Sequence, residues 1–243
     1  AVYLTGEHIY HNIHISNGGV LFLTEENNGK LELFCESIII DEGSSIVGNG
    51  LIQSGEGSPA GGGGAGHGGN GGGTGCGASG GPAYGYNLEL TGGSAGGSIE
   101  TGTIPGAGGG GIKIVANYAE INGNIYMNGT SATFDGSIAS SEQGAGGGAG
   151  GMIYLDIAEI NINGNLYATG GNGGSPMWTT EGSTCFGGGG SGGGGGRMRG
   201  RIDHVLWTLS TITTDPISMA GASNATSCGG WCVSGSISKS IAP

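Results

Sequence analysis

"IKIVANYAEINGNIYMNG", Ile112 to Gly129, and "IYLDIAEININGNLYATG", Ile153 to Gly170, superpose without a gap 41 residues apart. Ile112, Ile121, Asn122, Gly123, Asn124, Tyr126 and Gly129 recur as Ile153, Ile162, Asn163, Gly164, Asn165, Tyr167 and Gly170. Self-similarity at such a period is the mark of stacked-repeat architectures. Each copy holds two short strands rich in β-branched residues, "IKIV" then "NIYM" and "IYLDI" then "NLYA", parted by Asn-Gly. Asn-Gly commonly closes an antiparallel hairpin. Here "AEINGNI" keeps its apolar residues on one parity through the turn, as a chain bending round a corner does, and the corner is preferred.

A fainter copy, "LELFCESIIIDEGSSIVGNG", places Leu31, Leu33 and Ile40 81 residues before Ile112, Ile114 and Ile121. Its Asn49-Gly50 corresponds to Asn128-Gly129 after two extra residues. The period predicts an all-β chain, a right-handed parallel β-helix or β-solenoid in which each repeat spans about two coils. Like residues should then stack in internal ladders, isoleucine over isoleucine and asparagine over asparagine.

Glycine supplies 63 of 243 residues, and its runs keep the same step. "GAGGGG" ends just before Ile112, "GAGGGAGG" just before Met152, and "GGGGSGGGGG" just before Arg197. A flexible tether would occur once, so these runs belong to the fold. Glycine recurring before a strand means unusual φ or close approach of another backbone. Tight corners of a coil meet that need, and so do extended polyglycine II segments packed side by side. With charged residues at 10% and AVILMFWYC residues at 35%, a folded chain fits better than a disordered one.

The pattern "GGGGIKI … INGNIYMNG … GGAGGMIYL … INGNLYATGGNGG" resembles the glycine-rich parallel β-helix repeat proteins of cell surfaces and secreted adhesins, distantly similar in fold to pectin-lyase-like proteins. It also resembles, more weakly, the polyglycine-rich phage tip adhesins, which share the runs but not the 41-residue unit. The resemblance covers about Leu31 to Ile202 and implies a fold rather than a chemistry.

The charge of -12 argues against a nucleic-acid partner, which needs clustered cations. No apolar run reaches the roughly 20 residues of a membrane helix. The chain starts at Ala1, as a product of signal removal would, and Asn128-Gly-Thr and Asn224-Ala-Thr are acceptor patterns for N-linked glycans. Both suit an extracellular or cell-surface setting. Of five cysteines, Cys228 and Cys232 can close a small disulfide loop, Cys76 and Cys185 are candidates for a pair across layers, and Cys35 reads as a half-polar strand's small buried residue.

No catalytic constellation or cofactor is expected, because the five aspartates share no phase of the repeat and no hydrolase or metalloprotease motif occurs. His8, His11 and His14 read as a solvated strand surface and not a metal site. On one strand Ile9, Ile13 and Ile15 would face one way and His8 and His14 the other, the two histidines about 20 Å apart. Arg197, Arg199 and Arg201 form a basic stripe, either a solvated face or a docking surface for an acidic partner such as another copy. Trp178 is a candidate to stack on a sugar, with packing as the plainer alternative.

The expected organisation is an N-terminal β segment over 1–30, glycine-rich repeats over 31–204 and a C-terminal tail over 205–243. With neither end reading as a capping helix, both "AVYLTGEHIYHNIHIS" and "SGSISKSIAP" look able to add strands to a neighbour. The function read from these features is a non-enzymatic extracellular structural protein, a subunit of a filament, sheath or coat that self-associates head to tail. The alternative is a glycan- or receptor-binding adhesin module.

Overall fold

The structure is a computed structural model that describes residues 1–59, 61–73, 79–85, 89–98, 103–134, 144–174, 193–205 and 217–218. For 134, 198–205 and 217–218 the description is of the backbone alone. The chain is all-β. In order its strands are β1 (Val2–Leu4), β2 (Gly6–Ile9), β3 (Asn12–Ile15), β4 (Val20–Leu23), β5 (Lys30–Ile40), β6 (Ser45–Val47) and β7 (Thr103–Ile104). They continue as β8 (Gly111–Ile121), β9 (Asn124–Tyr126), β10 (Thr133–Phe134), β11 (Met152–Ile162), β12 (Asn165–Tyr167), β13 (Arg197–Val205) and β14 (Ile217–Ser218).

Two parallel sheets take almost all of them. Short strands form one in the order β1-β4-β6-β9-β12-β14, and long strands form the other in the order β13-β11-β8-β5-β2, with β3 also on β5. The chain therefore visits the two sheets alternately. Asn122-Gly123 turns it from β8 in one sheet to β9 in the other, so the corner expected there is found and no hairpin forms. The N–H groups of Asn122 and Gly123 both bond the Ile40 carbonyl, and those of Asn163 and Gly164 bond Ile121 in the same way.

The register keeps like on like. Leu31, Ile112, Ile153 and Met198 align across the long sheet, and Leu21, Ile46, Ile125, Leu166 and Ile217 across the short one. Leu31, Leu33, Ile38, Ile40, Ile46, Ile112, Ile114, Ile121 and Ile125 are fully buried between the sheets. Each such side chain contributes about 1.5–3 kcal/mol on leaving water. The alternation slips once in each of β5, β8 and β11. In β8 the buried positions run Ile112, Ile114, Ala116 and then Ala119, Ile121, with Asn117 exposed where the parity changes.

Because Ile112 pairs directly with Ile153, 41 residues carry the chain to the adjacent strand, one lap and not two. Leu31 pairs directly with Ile112 as well, so the spacing of 81 is also a single lap. The longer lap makes a larger glycine-rich excursion between β6 and β8. The asparagine ladders form, but at the rim. Asn163 Nδ2 donates to Asn122 Oδ1 and Asn165 Nδ2 to Asn124 Oδ1, both at 2.9 Å, with Asn163 exposed and Asn165 half-buried.

The excursions between short and long strands pack on each other beside the sheets, with residues 144–151 buried among them. Gly146 and Ala149 donate to Gly97 and Ser94, Gly148 and Gly151 to Thr130 and Met127, and Gly150 to Gly194. In return, Gly146 and Ala149 accept from Gly106 and Gly109, Ala145 and Gly148 from Gly174 and Gly171, and Gly147 from Ala65. Six separate segments thus surround this one, and residues three apart face the same neighbour.

A Cβ on Gly146 would overlap the Gly63 carbonyl oxygen, and one on Gly148 that of Ala107. Neither residue has positive φ. Close approach of backbones, not handedness, is what these glycines provide.

Residues 1–30, expected as an N-terminal β segment, supply β1 to β4 to the same two sheets. From the expected tail, Val205 ends β13 and Ile217–Ser218 joins the short sheet as β14.

Candidate functional site

The first strands are where the stack of strands is open. Among the described residues β1 pairs with β4 alone, and β2 and β3 with β5 alone, so each keeps one edge of backbone groups without a strand partner. Large apolar side chains are exposed there: Val2 at 56%, Tyr3 at 66%, Ile9 at 75% and Tyr10 at 42%. A cleft of about 370 Å³ opens between the sheets at this point, lined by Val2, Leu4, Ile13, Ile15, Leu21 and Leu33 among others. It is the cross-section of the core, uncovered.

The histidines sit on this surface, but not as one strand would present them. The chain breaks at Tyr10 and His11 between β2 and β3, and the parity resets. His8 aligns with buried Leu33, while Ile9 faces out, so Ile9 does not share a face with Ile13 and Ile15, nor His8 with His14. The break falls opposite Glu36, in the same place as the parity change of the long strands. His14 Nε2 lies 3.0 Å from Asp41 Oδ2 and His11 Nδ1 3.2 Å from Glu36 Oε1, clamping the first lap to the second.

On the outer face of the short sheet, Tyr3, Phe22, Val47, Tyr126 and Tyr167 form one column. Tyr126 and Tyr167 stack with centroids 5.1 Å apart and planes at 3°, and Tyr3 stacks on Phe22 at 5.2 Å. Within each stacked pair the ring faces are turned to each other, and Val47 separates the two pairs.

A second cluster is buried where the glycine-rich segments meet the long sheet. His67 is fully buried, its Nδ1 donating to the Gly150 carbonyl at 2.7 Å and its Nε2 2.9 Å from the Thr91 hydroxyl. Among the packed glycine segments His67 therefore takes the place of a backbone donor. Tyr84 packs on it at 4.8 Å, donates to the Gly92 carbonyl and accepts from Ser94 Oγ. Burial, assisted by the charge of Glu56 and opposed by the Ser94 hydrogen bond, pushes the Tyr84 phenol up to about 12.

Arg197 belongs to this cluster. It is only 6% exposed and donates from Nε to the Tyr84 carbonyl at 2.9 Å, so it cannot serve in an outer docking stripe. It aligns with buried Met152 and Gly111, which places it on the inner side. Arg199 and Arg201 align with Tyr154 and Asp156 on the same strand. The signal for this cluster in the sequence is a single histidine in a glycine run, "GAGHGGN".

Asn128 lies in a ladder: its N–H bonds Asn49 Oδ1, and its own Oδ1 accepts from the Thr169 N–H and hydroxyl. Thr130 of the same acceptor pattern receives the Ala107 N–H on its hydroxyl. Cys35 is a free thiol, half-buried against the core, with its pKa pushed up by burial. Cys76, Trp178, Cys185, Asn224, Cys228 and Cys232 lie outside the described residues.

The geometry defines an all-β protein of two parallel sheets flanked by cross-bonded glycine segments. No family model, no curated protein and no solved structure matches the chain.

Proposed function

We propose that the chain is a non-enzymatic structural module of an extracellular filament, sheath or surface coat, joined head to tail to further copies. Its architecture in this reading is a right-handed parallel β-helix whose glycine excursions form a polyglycine II bundle. The threefold repeat of hydrogen bonds around residues 144–151 supports the bundle, since three residues per turn is the geometry of that extended helix. Strands of successive laps in unbroken parallel register support the helix.

The observation that carries the function is the open first lap, with edges that have no strand partner among the described residues, 56–75% exposed Val2, Tyr3 and Ile9, and a core cleft between the sheets. Such edges recruit further strands unless covered. A contact between two different ends produces an open helical array when its rotation does not close into a ring. The test is sedimentation velocity over a wide concentration range with electron microscopy of the same samples. Species growing in mass with concentration, and fibres on the grid, are expected; a single monomer at every concentration overturns the proposal.

A further inference from the structure

Head-to-tail contact alone fixes neither the strands that meet nor their alignment. The columns that cross the long sheet supply both. One outer column runs Glu7, Glu32, Lys113, Tyr154, Arg199, one residue per lap. Inside it, charges pair between neighbouring laps: Lys113 Nζ is 2.8 Å from Glu32 Oε2. Glu7 stands at the exposed edge beside Glu32, a like charge whose cation is already engaged, and no salt bridge to Glu7 occurs among the described residues. Among the described residues, Arg199 holds the register position at the opposite edge of the same column.

Granted the head-to-tail assembly proposed for this chain, we infer that a second copy continues the sheets in phase, its β2 adding parallel to β13 with Glu7 opposite Arg199 and its β1 adding to β14. Residue size agrees with this alignment at the neighbouring positions. Met198 would meet Gly6, and Gly200 would meet His8, large against small each time. Val205 would meet Ile13, extending the column Ile38, Ala119, Ile160. In the short sheet Ile217 would meet Val2, extending Leu21, Ile46, Ile125, Leu166 and covering a side chain now 56% exposed. A shift by one residue would set Glu7 against Gly200 or Met198 and reverse the faces of every pair. The partner that fits this end is therefore a second copy of this chain, in one register.

The test compares wild type, Glu7→Arg, Arg199→Glu and the double exchange, each checked for unaltered circular dichroism. In sedimentation, either single charge reversal is expected to raise the concentration for half-assembly about tenfold, and the double exchange to restore it. Arg199→Lys provides a second readout, because carbodiimide should couple the new amine to Glu7 of another copy, identified by mass spectrometry of the joined peptides. Assembly insensitive to the single reversals, or no Glu7 to 199 peptide, overturns the alignment while leaving head-to-tail assembly standing. A wild-type chain that stays monomeric overturns both.

Discussion

A glycine can be indispensable for two unrelated reasons, and this chain separates them. Gly148 has an ordinary φ, but a Cβ there would overlap the Ala107 carbonyl oxygen, a backbone atom that cannot swing away. Gly43 is the reverse: φ is +78° and the space around it is open. Gly43→Ala should cost about 1–2 kcal/mol from the left-handed backbone alone, and Gly148→Ala about 3 kcal/mol or more from overpacking. Denaturant unfolding of the two variants checks the order. Tyr84 gives a second prediction. Its phenol titrates at about 12 when folded and near 10 when unfolded, so the folded state holds the proton across that window. The stabilisation is complete below pH 10 and is lost as the pH rises through 12, amounting to about 3 kcal/mol. Tyr84→Phe loses the hydrogen bonds to Gly92 and Ser94 and should be less stable than wild type at pH 7, and the gap should narrow between pH 10 and 12, where the buried phenol of the wild type is forced to ionise, in parallel urea titrations.

Among the elements, strands and glycine segments carry information differently. In a strand a slip of one residue exchanges the buried and exposed faces. In the segment 144–151, residues three apart meet the same neighbour, so a slip of three restores the pattern and a slip of one does not. Inserting three glycines between Gly147 and Gly148 should accordingly lower the thermal midpoint less than inserting one, measured by circular dichroism. The difference also explains what the sequence made legible. The strands, their corners at Asn-Gly and the columns of isoleucine follow from alternation and the offset of 41, which side chains record. The number of laps per repeat does not, because the excursions are nearly free of side chains, and their length is silent about how often the chain returns to the sheets. Nor is the burial of Arg197, since the Tyr84 carbonyl that receives it is 113 residues away. The open first lap was partly legible as an uncapped strand run, but the break at Tyr10 and His11 has no signal in the alternation.

Across the whole molecule, the two sheets and the glycine bundle share their laps, so neither is complete without the other. Each excursion leaves a short strand and returns to a long one: Gly110 bonds Gly48, Gly151 bonds Met127 and Gly196 bonds Ala168 at the junctions. Buried His67, Ser94 and Arg197, with half-buried Tyr84, join the glycine segments to the sheet at its inner side. The arrangement also imposes an order in time. Ala65 gives its N–H to Gly147 and receives the N–H of Gly194 on its carbonyl, so an early residue waits for two much later ones. Contacts so remote in sequence form slowly, because loop closure precedes their reward. During synthesis the first laps of strand can stack as they emerge, whereas the middle of the bundle stays unfinished until the ribosome has passed Gly196.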